Sequence, residues 1–444
     1  MCRALSAARF LRARPGRPRR PPGAPITVEN TVVGLDVGTT KICAVVGRGL
    51  EDGRLEVLGT GVVPSAGLKR GVVVDLEQAT ASVRSAVQRA EESSGLHIHS
   101  AYVGVTGDHV SSLNVIGRVT VSSGTEVTEA ECDKALQAAR DNVGSLGANR
   151  EIIHVIPREY TLDGQGGIAR PVGMSGLRLE VAAHIVTGVR SILENVEKGV
   201  ERAGVEVLEK VLEPVATSEA VLTRAERELG VALVDIGGGT CDIAIFLDGA
   251  ICHTSAIPVA GEHVTRDMAI GIRAAAEEAE QLKRRFGTAL VAQASPDERV
   301  AVRVAGTDEL QHVPRRLLAE IIEARVEEIF AMVRGDLRRS GLYDLVGGVV
   351  LTGGGSLLPG MADVAARVLD GNRVRIGEPR NITGLVAPIR GPAFATGVGL
   401  ALYGLQRQPE PGEGPPVQAA PHTWLTDVRD WLTRLARRRP RRRG

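Results

Sequence analysis

An α/β fold built from two similar domains is predicted by three features of the sequence. Apolar strand-like runs alternate with helix-like segments from Thr31 to about Leu405, which is the pattern of an α/β fold. The segment Val32–Thr40 is echoed far along the chain by Ala232–Thr240. In both copies an apolar strand ends in Asp, a β-branched residue and Gly, and then turns toward a second strand. A third glycine turn, Gly353–Ser356, follows another apolar strand.

The first elements can be assigned from local patterns. Three apolar runs, Val32–Leu35, Ile42–Val46 and Glu56–Val63, predict strands. A helix is predicted from about Leu76 to Ser93. Because two such units lie far apart in the sequence, we expect two similar domains that face each other.

Segments of different composition flank this globular region. Residues 1–29 are rich in Arg, Pro and Ala and are predicted to be a disordered basic extension. Residues 406–421 are rich in Pro, Gly and Glu without core-forming residues, so they are predicted to be a disordered linker. Residues 422–444 are predicted to form a short helix with a basic tail.

Charge is strongly segregated along the chain. The net charge is +1, but residues 1–25 carry +7 and residues 422–444 carry +6, so the rest carries 1 − 7 − 6 = −12. An acidic body with basic ends is not the pattern of a nucleic-acid-binding core. The five cysteines have no CxxC spacing, which favours a reducing cytosol over a disulfide framework or a structural zinc site.

The paired turns have the chemistry of a phosphate site. Glycines let backbone N–H groups approach an anion, and successive amides in a tight turn form an anion-binding concavity. Asp36 and Asp235 end their strands where they could hold a hydrated Mg²⁺ that bridges phosphates. Lys41 adds a positive charge for the β- and γ-phosphates.

Hairpins, P-loops and dinucleotide-binding sites also contain glycine-rich turns. A single Asp-x-Gly turn is more often a plain strand–turn–strand hairpin, but two copies with a third glycine turn make that interpretation improbable. The P-loop motif is absent from the sequence. No G-x-G-x-x-G motif opens a helix, so a dinucleotide-binding Rossmann site has no support.

The paired turns resemble the two phosphate loops of the superfamily of actin, heat-shock chaperones and sugar kinases. Within it, the chain resembles the bacterial division family FtsA over nearly all of 31–405. Four stretches carry the closer resemblance: Gly104–His109, Ile153–Tyr160, Pro171–Met174 and Asn381–Gly384.

This resemblance implies an actin-like ATPase fold that binds ATP and Mg²⁺, with at most slow hydrolysis. Asp36 and Asp235 would organise the Mg²⁺ through water, and Glu213 would lie near the attacking water. Glu280 and Lys283, on one predicted helix face, would contact the ribose and adenine; the alternative is a surface ion pair. The nucleotide would be held by the residues of the three turns: Gly38, Thr39, Thr40, Lys41, Gly237, Gly238, Gly239, Thr240, Gly353, Gly354 and Gly355.

The resemblance also implies the domain organisation. Two duplicated RNase H-like domains would carry a small inserted α+β subdomain. The expected boundaries are 30–96 with 176–212 for the first domain, 97–175 for an inserted self-association subdomain, 213–273 with 341–405 for the second domain and its closing elements, and 274–340 for a partner-binding subdomain.

The function implied is that of an ATP-binding, polymerising adaptor that anchors the ring of the tubulin-like protein FtsZ to the membrane. Arg315 and Arg325 match basic positions of the family and would suit the acidic C-terminal peptide of FtsZ, unless they are solvated helix residues. Other divisome proteins would also bind, and nucleic acid would not. The location expected is the cytoplasmic face of the cell membrane at the division septum. The alternative is a metabolite kinase or phosphatase on the same fold.

The terminal segment has the pattern of an interfacial membrane helix. Arginines lie largely on the opposite face, and both tryptophans of the chain lie in the apolar stripe. Docking to the core, binding of a calmodulin-like protein and binding of RNA by the arginine tail are the alternatives. The apolar stripe, predicted to contact anionic lipids, consists of Trp424, Leu425, Val428, Trp431, Leu432 and Leu435.

Overall fold

Two sheets of matching strand order carry the paired turns. The computed structural model describes residues 30–122, 126–144, 147, 149–307 and 309–407. In chain order the strands are β1 (Thr31–Val37), β2 (Lys41–Gly49), β3 (Leu55–Pro64), β4 (Leu68–Lys69), β5 (Val72–Val73), β6 (Ser100–Val105), β7 (Ser111–Thr120), β8 (Arg150–Leu162), β9 (Gln165–Ile168), β10 (Arg178–Val189), β11 (Glu206–Leu212), β12 (Val231–Ile236), β13 (Cys241–Leu247), β14 (Ala250–Ile257), β15 (Arg299–Arg303), β16 (Leu310–Pro314), β17 (Val349–Thr352), β18 (Val374–Ile376) and β19 (Ile382–Gly384). The α-helices are α1 (Leu76–Ser94), α2 (Glu129–Asp141), α3 (Arg190–Arg202), α4 (Glu213–Val221), α5 (Arg224–Leu229), α6 (Gly261–Gly271), α7 (Ala276–Phe286), α8 (Arg315–Arg339), α9 (Met361–Val368) and α10 (Ala395–Arg407).

The two main sheets are topological copies of each other. The first has the order β11-β6-β1-β2-β3-β19 and the second β14-β13-β12-β17-β18. In both, three antiparallel strands joined in sequence are followed by two strands that continue the sheet in parallel from the first of them. The duplicated α/β fold predicted from the echoed turns is therefore confirmed.

The helix α1 shows how local sequence sets one element. The Asp75 carboxylate caps its N-terminus by accepting a hydrogen bond from the Gln78 amide at 3.0 Å, and Gly95 ends it in a left-handed conformation. Its buried residues, Val83 and Val87 among them, pack against the first sheet in a core that also contains Leu35. The predicted bounds, Leu76 to Ser93, match this helix to within one residue.

A third sheet forms the inserted subdomain, in the order β7-β10-β8-β9, and α2 packs on β7 and β10. It spans Ser111–Val189, so the predicted limits of 97–175 differ from it at both ends. The predicted insert includes β6, which lies instead in the first main sheet between β1 and β11. β10 was placed in the first domain, but it pairs along its length with β7 and β8. Position along the sequence does not reveal which sheet a strand joins.

Two elements near the C-terminal end of the described residues, β19 and α10, pack on the first sheet, although the prediction assigned them to the second domain. β19 pairs with β3 of the first sheet in parallel, although 341–405 was assigned to the second domain. α10 packs on β1, where a Cβ on Gly34 would lie 2.5 Å from the Gly397 carbonyl oxygen, so helix and strand backbones are in direct contact. α10 also continues through Arg407, into the segment predicted as linker.

Within 274–340, two long helices flank a small hairpin. α7 and α8 surround the two-stranded sheet β15-β16, and α8 buries Phe330 and Val333 in the core of the second domain. Among the helices of the described residues, none is long and apolar enough to cross a membrane. The predicted extension 1–29 and the terminal stripe from Trp424 to Leu435 lie outside the described residues.

Candidate functional site

The two Asp-x-Gly turns face each other across the boundary between the main sheets. A Cβ on Gly238 would overlap Thr40 Cγ2 and lie 3.0 Å from Thr40 Oγ1. A Cβ on Gly239 would lie 2.9 Å from Thr39 Oγ1. The second turn is closed by a hydrogen bond from the Gly237 amide to the Thr240 carbonyl at 2.9 Å. Glycine is therefore required at positions 238 and 239, because a side chain there would collide with the threonines of the first turn.

A buried ion pair lies at the base of the first turn. The Asp36 side chain is 5% exposed, and its Oδ2 accepts a hydrogen bond from Lys41 Nζ at 2.9 Å. Burial opposes the charge of Lys41, but the Asp36 carboxylate, with further contributions from Cys43 and Asp235, raises the pKa of that amine. Lys41 thus remains charged beside the turn.

Asp235 occupies the equivalent place at the second turn. Its Oδ2 accepts hydrogen bonds from the hydroxyls of Thr217 at 3.3 Å and Thr396 at 3.2 Å. Burial raises the pKa of Asp235 to about 6, and Asp36 adds to the effect. The third turn packs against this carboxylate. Gly353 has φ +83°, and a Cβ there would overlap Asp235 Oδ1. The three turns predicted from sequence therefore converge.

Asp242 is a member of this site that sequence reasoning missed. It lies opposite Asp235 in the β12–β13 ladder, and its carboxylate accepts hydrogen bonds from the hydroxyls of Thr106 and Thr240. Burial raises the pKa of Asp242 to about 7. A signal existed, because Asp242 is the single charge in the apolar run Cys241–Leu247.

Glu213 completes a group of four buried carboxyl groups around one lysine. It is the first residue of α4 and is 8% exposed. Its Oε1 is fully buried and has no hydrogen-bond partner among the described residues. Burial, followed by the charges of Asp36, Asp242 and Asp235, raises the pKa of Glu213 well above its usual value.

The donor set fits a hydrated divalent cation. All four acids offer only oxygen ligands, which Mg²⁺ prefers, and the excess negative charge and the unpartnered Glu213 oxygen favour a cation nearby. In the part of the chain that the structure describes, no group of three or more His, Cys, Asp or Glu side chains is arranged to hold a metal ion by itself. A cation here would thus need water or phosphate oxygens as further ligands.

Glu280 and Lys283 form an ion pair that is also tied to the second turn. Lys283 Nζ lies 2.6 Å from Glu280 Oε2 on α7. The same amine donates to the Gly261 carbonyl oxygen at 3.0 Å, and the Gly261 amide donates to the Gly237 carbonyl oxygen at 3.1 Å. Glu280 and Lys283 can therefore form an ion pair and also lie beside the proposed nucleotide site.

Arg315 and Arg325 lie on α8 and are held by acids of their own domain. Arg315 pairs with Glu298 at 2.9 Å, and Arg325 pairs with Asp267 and Glu328. Both side chains keep about a quarter of their surface exposed, 25% and 23%. They are half-buried and paired, rather than freely solvated.

The raised pKa values predict a pH dependence of stability. Asp235 and Asp242 bind protons more tightly in the folded protein than in the unfolded chain, so the nucleotide-free protein should lose stability as pH rises from about 4 to about 7. In urea unfolding across this range, Asp242→Asn should flatten the slope by on the order of 2 kcal/mol. The exposed Asp297→Asn is the control and should leave the slope unchanged. An unaltered slope for Asp242→Asn would show that its carboxyl ionises normally.

The duplicated sheets and the converging turns define an actin-like fold. A chain of the PilM-PilN type IV pilus biogenesis complex matches with a TM-score of 0.61 at 15% identity, covering 85% of this chain and 99% of that chain. The ethanolamine utilization protein EutJ from Carboxydothermus hydrogenoformans matches with a TM-score of 0.50 at 20% identity, covering 86% of this chain and 91% of that chain. At these identities the likeness shows the fold alone.

Relatives in sequence identify the family within this fold. The family model for the cell division protein FtsA matches residues 232–399, and the model for the SHS2 domain inserted in FtsA matches 107–187, in agreement with the four-stranded sheet. The FtsA of Pseudomonas aeruginosa is 44% identical over 85% of this chain and 90% of its own. The FtsA of Escherichia coli is 39% identical over 91% of this chain and 98% of its own. The chain belongs to the FtsA family of cell division proteins.

Proposed function

We propose that the chain binds Mg-ATP between its paired turns and works as a polymerising adaptor of the division ring. The observation that carries the nucleotide part is the contact of the two glycine turns above a buried group of acids with Lys41. Calorimetric titration of the full chain with Mg-ATP tests this proposal. No measurable heat of binding, with the protein folded, would overturn it.

The residues have distinct roles in this proposal. Backbone amides of the two turns would bind the phosphates, and Lys41 would neutralise part of their charge. Asp36 and Asp235 would orient the waters of a Mg²⁺ ion, which when bound supplies charge neutralisation for the phosphates. Glu213, buried beside Gly104, would position the attacking water. Burial and the neighbouring carboxylates raise the pKa of Glu213 in the nucleotide-free protein.

The adaptor role follows from family membership rather than from the nucleotide site. A metabolite kinase or phosphatase would share the fold, but the relatives over most of the chain are cell division proteins. We infer that the insert contributes to self-association into filaments and that other divisome proteins bind the assembled polymer. The terminal stripe would hold it at the cytoplasmic face of the membrane, at the septum.

The partner proposed for 274–340 is the acidic C-terminal peptide of FtsZ. Arg315 and Arg325 both lie on α8 and retain exposed surface. Because each already pairs with an acid, an acidic peptide would have to compete with Glu298 or Asp267 or extend their network. This competition offers a sharper test than charge reversal alone.

Substituting the arginines and substituting Asp267, the acid that pairs with Arg325, should affect peptide binding differently. Arg315→Glu with Arg325→Glu should weaken binding of the FtsZ C-terminal peptide by about tenfold or more. Asp267→Asn breaks the same ion pair but leaves the arginine, so it should leave binding equal or tighter. Fluorescence anisotropy with a labelled peptide measures both. If both variants weaken binding alike, the loss reflects the broken pair, and the arginines do not contact the peptide.

A further inference from the structure

The short hairpin of β4 and β5 carries a basic motif that the proposed site does not use. Its sequence is Gly67-Leu68-Lys69-Arg70-Gly71. Arg70 stands at the tip between the two strands with φ +51°, a left-handed conformation that is uncommon for a side-chain-bearing residue. Such strain persists where surrounding contacts fix the backbone, and it is frequent at ligand sites.

The hairpin tip touches both phosphate turns. A Cβ on Gly239 would lie 3.0 Å from Arg70 Cα and 3.1 Å from its amide nitrogen, so the second turn packs on the Arg70 backbone. The Gly71 amide donates a hydrogen bond to Thr39 Oγ1 of the first turn at 3.1 Å. Arg70 therefore extends from a point where the two turns meet.

The guanidinium of Arg70 differs from the two lysines of the site. Lys41 pairs with Asp36, and Lys283 pairs with Glu280. Among the described residues, Arg70 makes no ion pair or side-chain hydrogen bond, although it is half-buried. Its guanidinium donors therefore remain available to an anion that reaches the two turns.

The start of α6 lies close to Arg70. His263 lies in the first turn of α6; burial, followed by the nearby charge of Arg70, lowers the pKa of its imidazole. The neighbouring Glu262 amide donates to the Gly238 carbonyl oxygen at 2.8 Å. The charge of Arg70 thus acts on the start of α6, which the Glu262 amide ties to the second turn.

We propose that Arg70 is an additional nucleotide-binding residue, which contacts the outermost phosphate of ATP and makes the site prefer ATP to ADP. This inference rests on the proposed nucleotide function. The planar guanidinium can donate two hydrogen bonds to one phosphate, in a geometry that lysine cannot reproduce. Because Arg70 comes from the first domain and packs on a turn of the second, its contact with the outer phosphate would also bridge the domains.

The test compares ATP with ADP in the full-length protein. Fluorescent analogues of Mg-ATP and Mg-ADP are titrated against wild type, Arg70→Ala, Arg70→Lys and the neighbouring control Lys69→Ala, with anisotropy as the readout. Arg70→Ala should weaken ATP binding by about tenfold or more and ADP binding by less than about threefold. Arg70→Lys should lie between wild type and Arg70→Ala. Lys69→Ala should bind both nucleotides like wild type, because Lys69 is exposed.

The outcomes separate this inference from the function on which it rests. If wild type binds neither nucleotide, the nucleotide function fails and the role of Arg70 fails with it. If wild type binds both and Arg70→Ala binds ATP equally well, only the role of Arg70 is overturned. Equal losses for ATP and ADP would also overturn it, as a structural effect. Arg70→Gly, which suits the left-handed backbone, guards against misfolding and should show the same selective loss.

Discussion

Gly238→Asp should abolish Mg-ATP binding, with a loss of affinity of at least about a hundredfold. The new side chain would begin inside the van der Waals surface of Thr40 Cγ2, so the two turns would be forced apart. It would also place a carboxylate among backbone amides that are proposed to bind phosphate, and like charges at close range cost several kcal/mol. Both effects act on the same turn and in the same direction.

A matched substitution controls for general damage. Gly166→Asp adds the same side chain on the exposed edge strand β9, where a Cβ would meet only Thr161 Oγ1 at an ordinary 3.5 Å. It should bind Mg-ATP like wild type. Asp235→Ala is a second disabling variant with the opposite charge change, because it removes a carboxylate rather than adding one.

Asp235→Ala should lose nucleotide binding without loss of fold. The Asp235 carboxylate is buried close to Asp36 and Asp242, so its removal relieves repulsion and offsets the lost hydrogen bonds from Thr217 and Thr396. Calorimetry for binding and urea unfolding for stability separate the two properties. If both Gly238→Asp and Asp235→Ala bind Mg-ATP with unchanged affinity, the nucleotide lies elsewhere in the molecule.

The sequence identified those parts of the site that repeat a local pattern. Asp36 and Asp235 follow the same run of apolar residues and precede the same turn, so their equivalence is visible without any structure. Asp242 and Thr106 were missed because their role depends on pairing across the molecule. Thr106 follows β6 and meets Asp242 on β13, 136 residues later, and no local signal encodes that contact.

The fold shows the same division between local and long-range information. Strand and helix positions near the N-terminus were predicted to within a few residues, because periodicity and capping are local. The predicted insert boundary is wrong because the sequences of β6 and β10 show that they are strands but do not show which sheet each one joins. Which sheet each one joins is decided by partners such as β11 and β8. Membership of a sheet is a tertiary property.

The proposed membrane affinity is argued from the sequence of the terminal stripe alone. Burial of each large apolar side chain of the terminal stripe would contribute roughly 1.5–3 kcal/mol at most. Arginines near an anionic surface add about 1 kcal/mol each and are screened by salt. Ordering of the helix offsets part of both gains. A single copy should therefore bind reversibly, and polymerisation with ATP would combine many weak anchors into firm attachment.

Trp431→Glu should release the unpolymerised protein from anionic vesicles while leaving Mg-ATP binding unchanged. The substitution puts a charge in the middle of the apolar stripe, whereas Thr433→Glu adds the same charge on the opposite face of the predicted helix and should retain most of the binding. Vesicle sedimentation measures both variants. Because Trp424 and Trp431 are the two tryptophans of the chain, wild-type fluorescence should also shift to the blue when vesicles are added. No blue shift, with equal sedimentation of Trp431→Glu and wild type, would remove the stripe from membrane attachment and leave the arginine tail as the anchor to test.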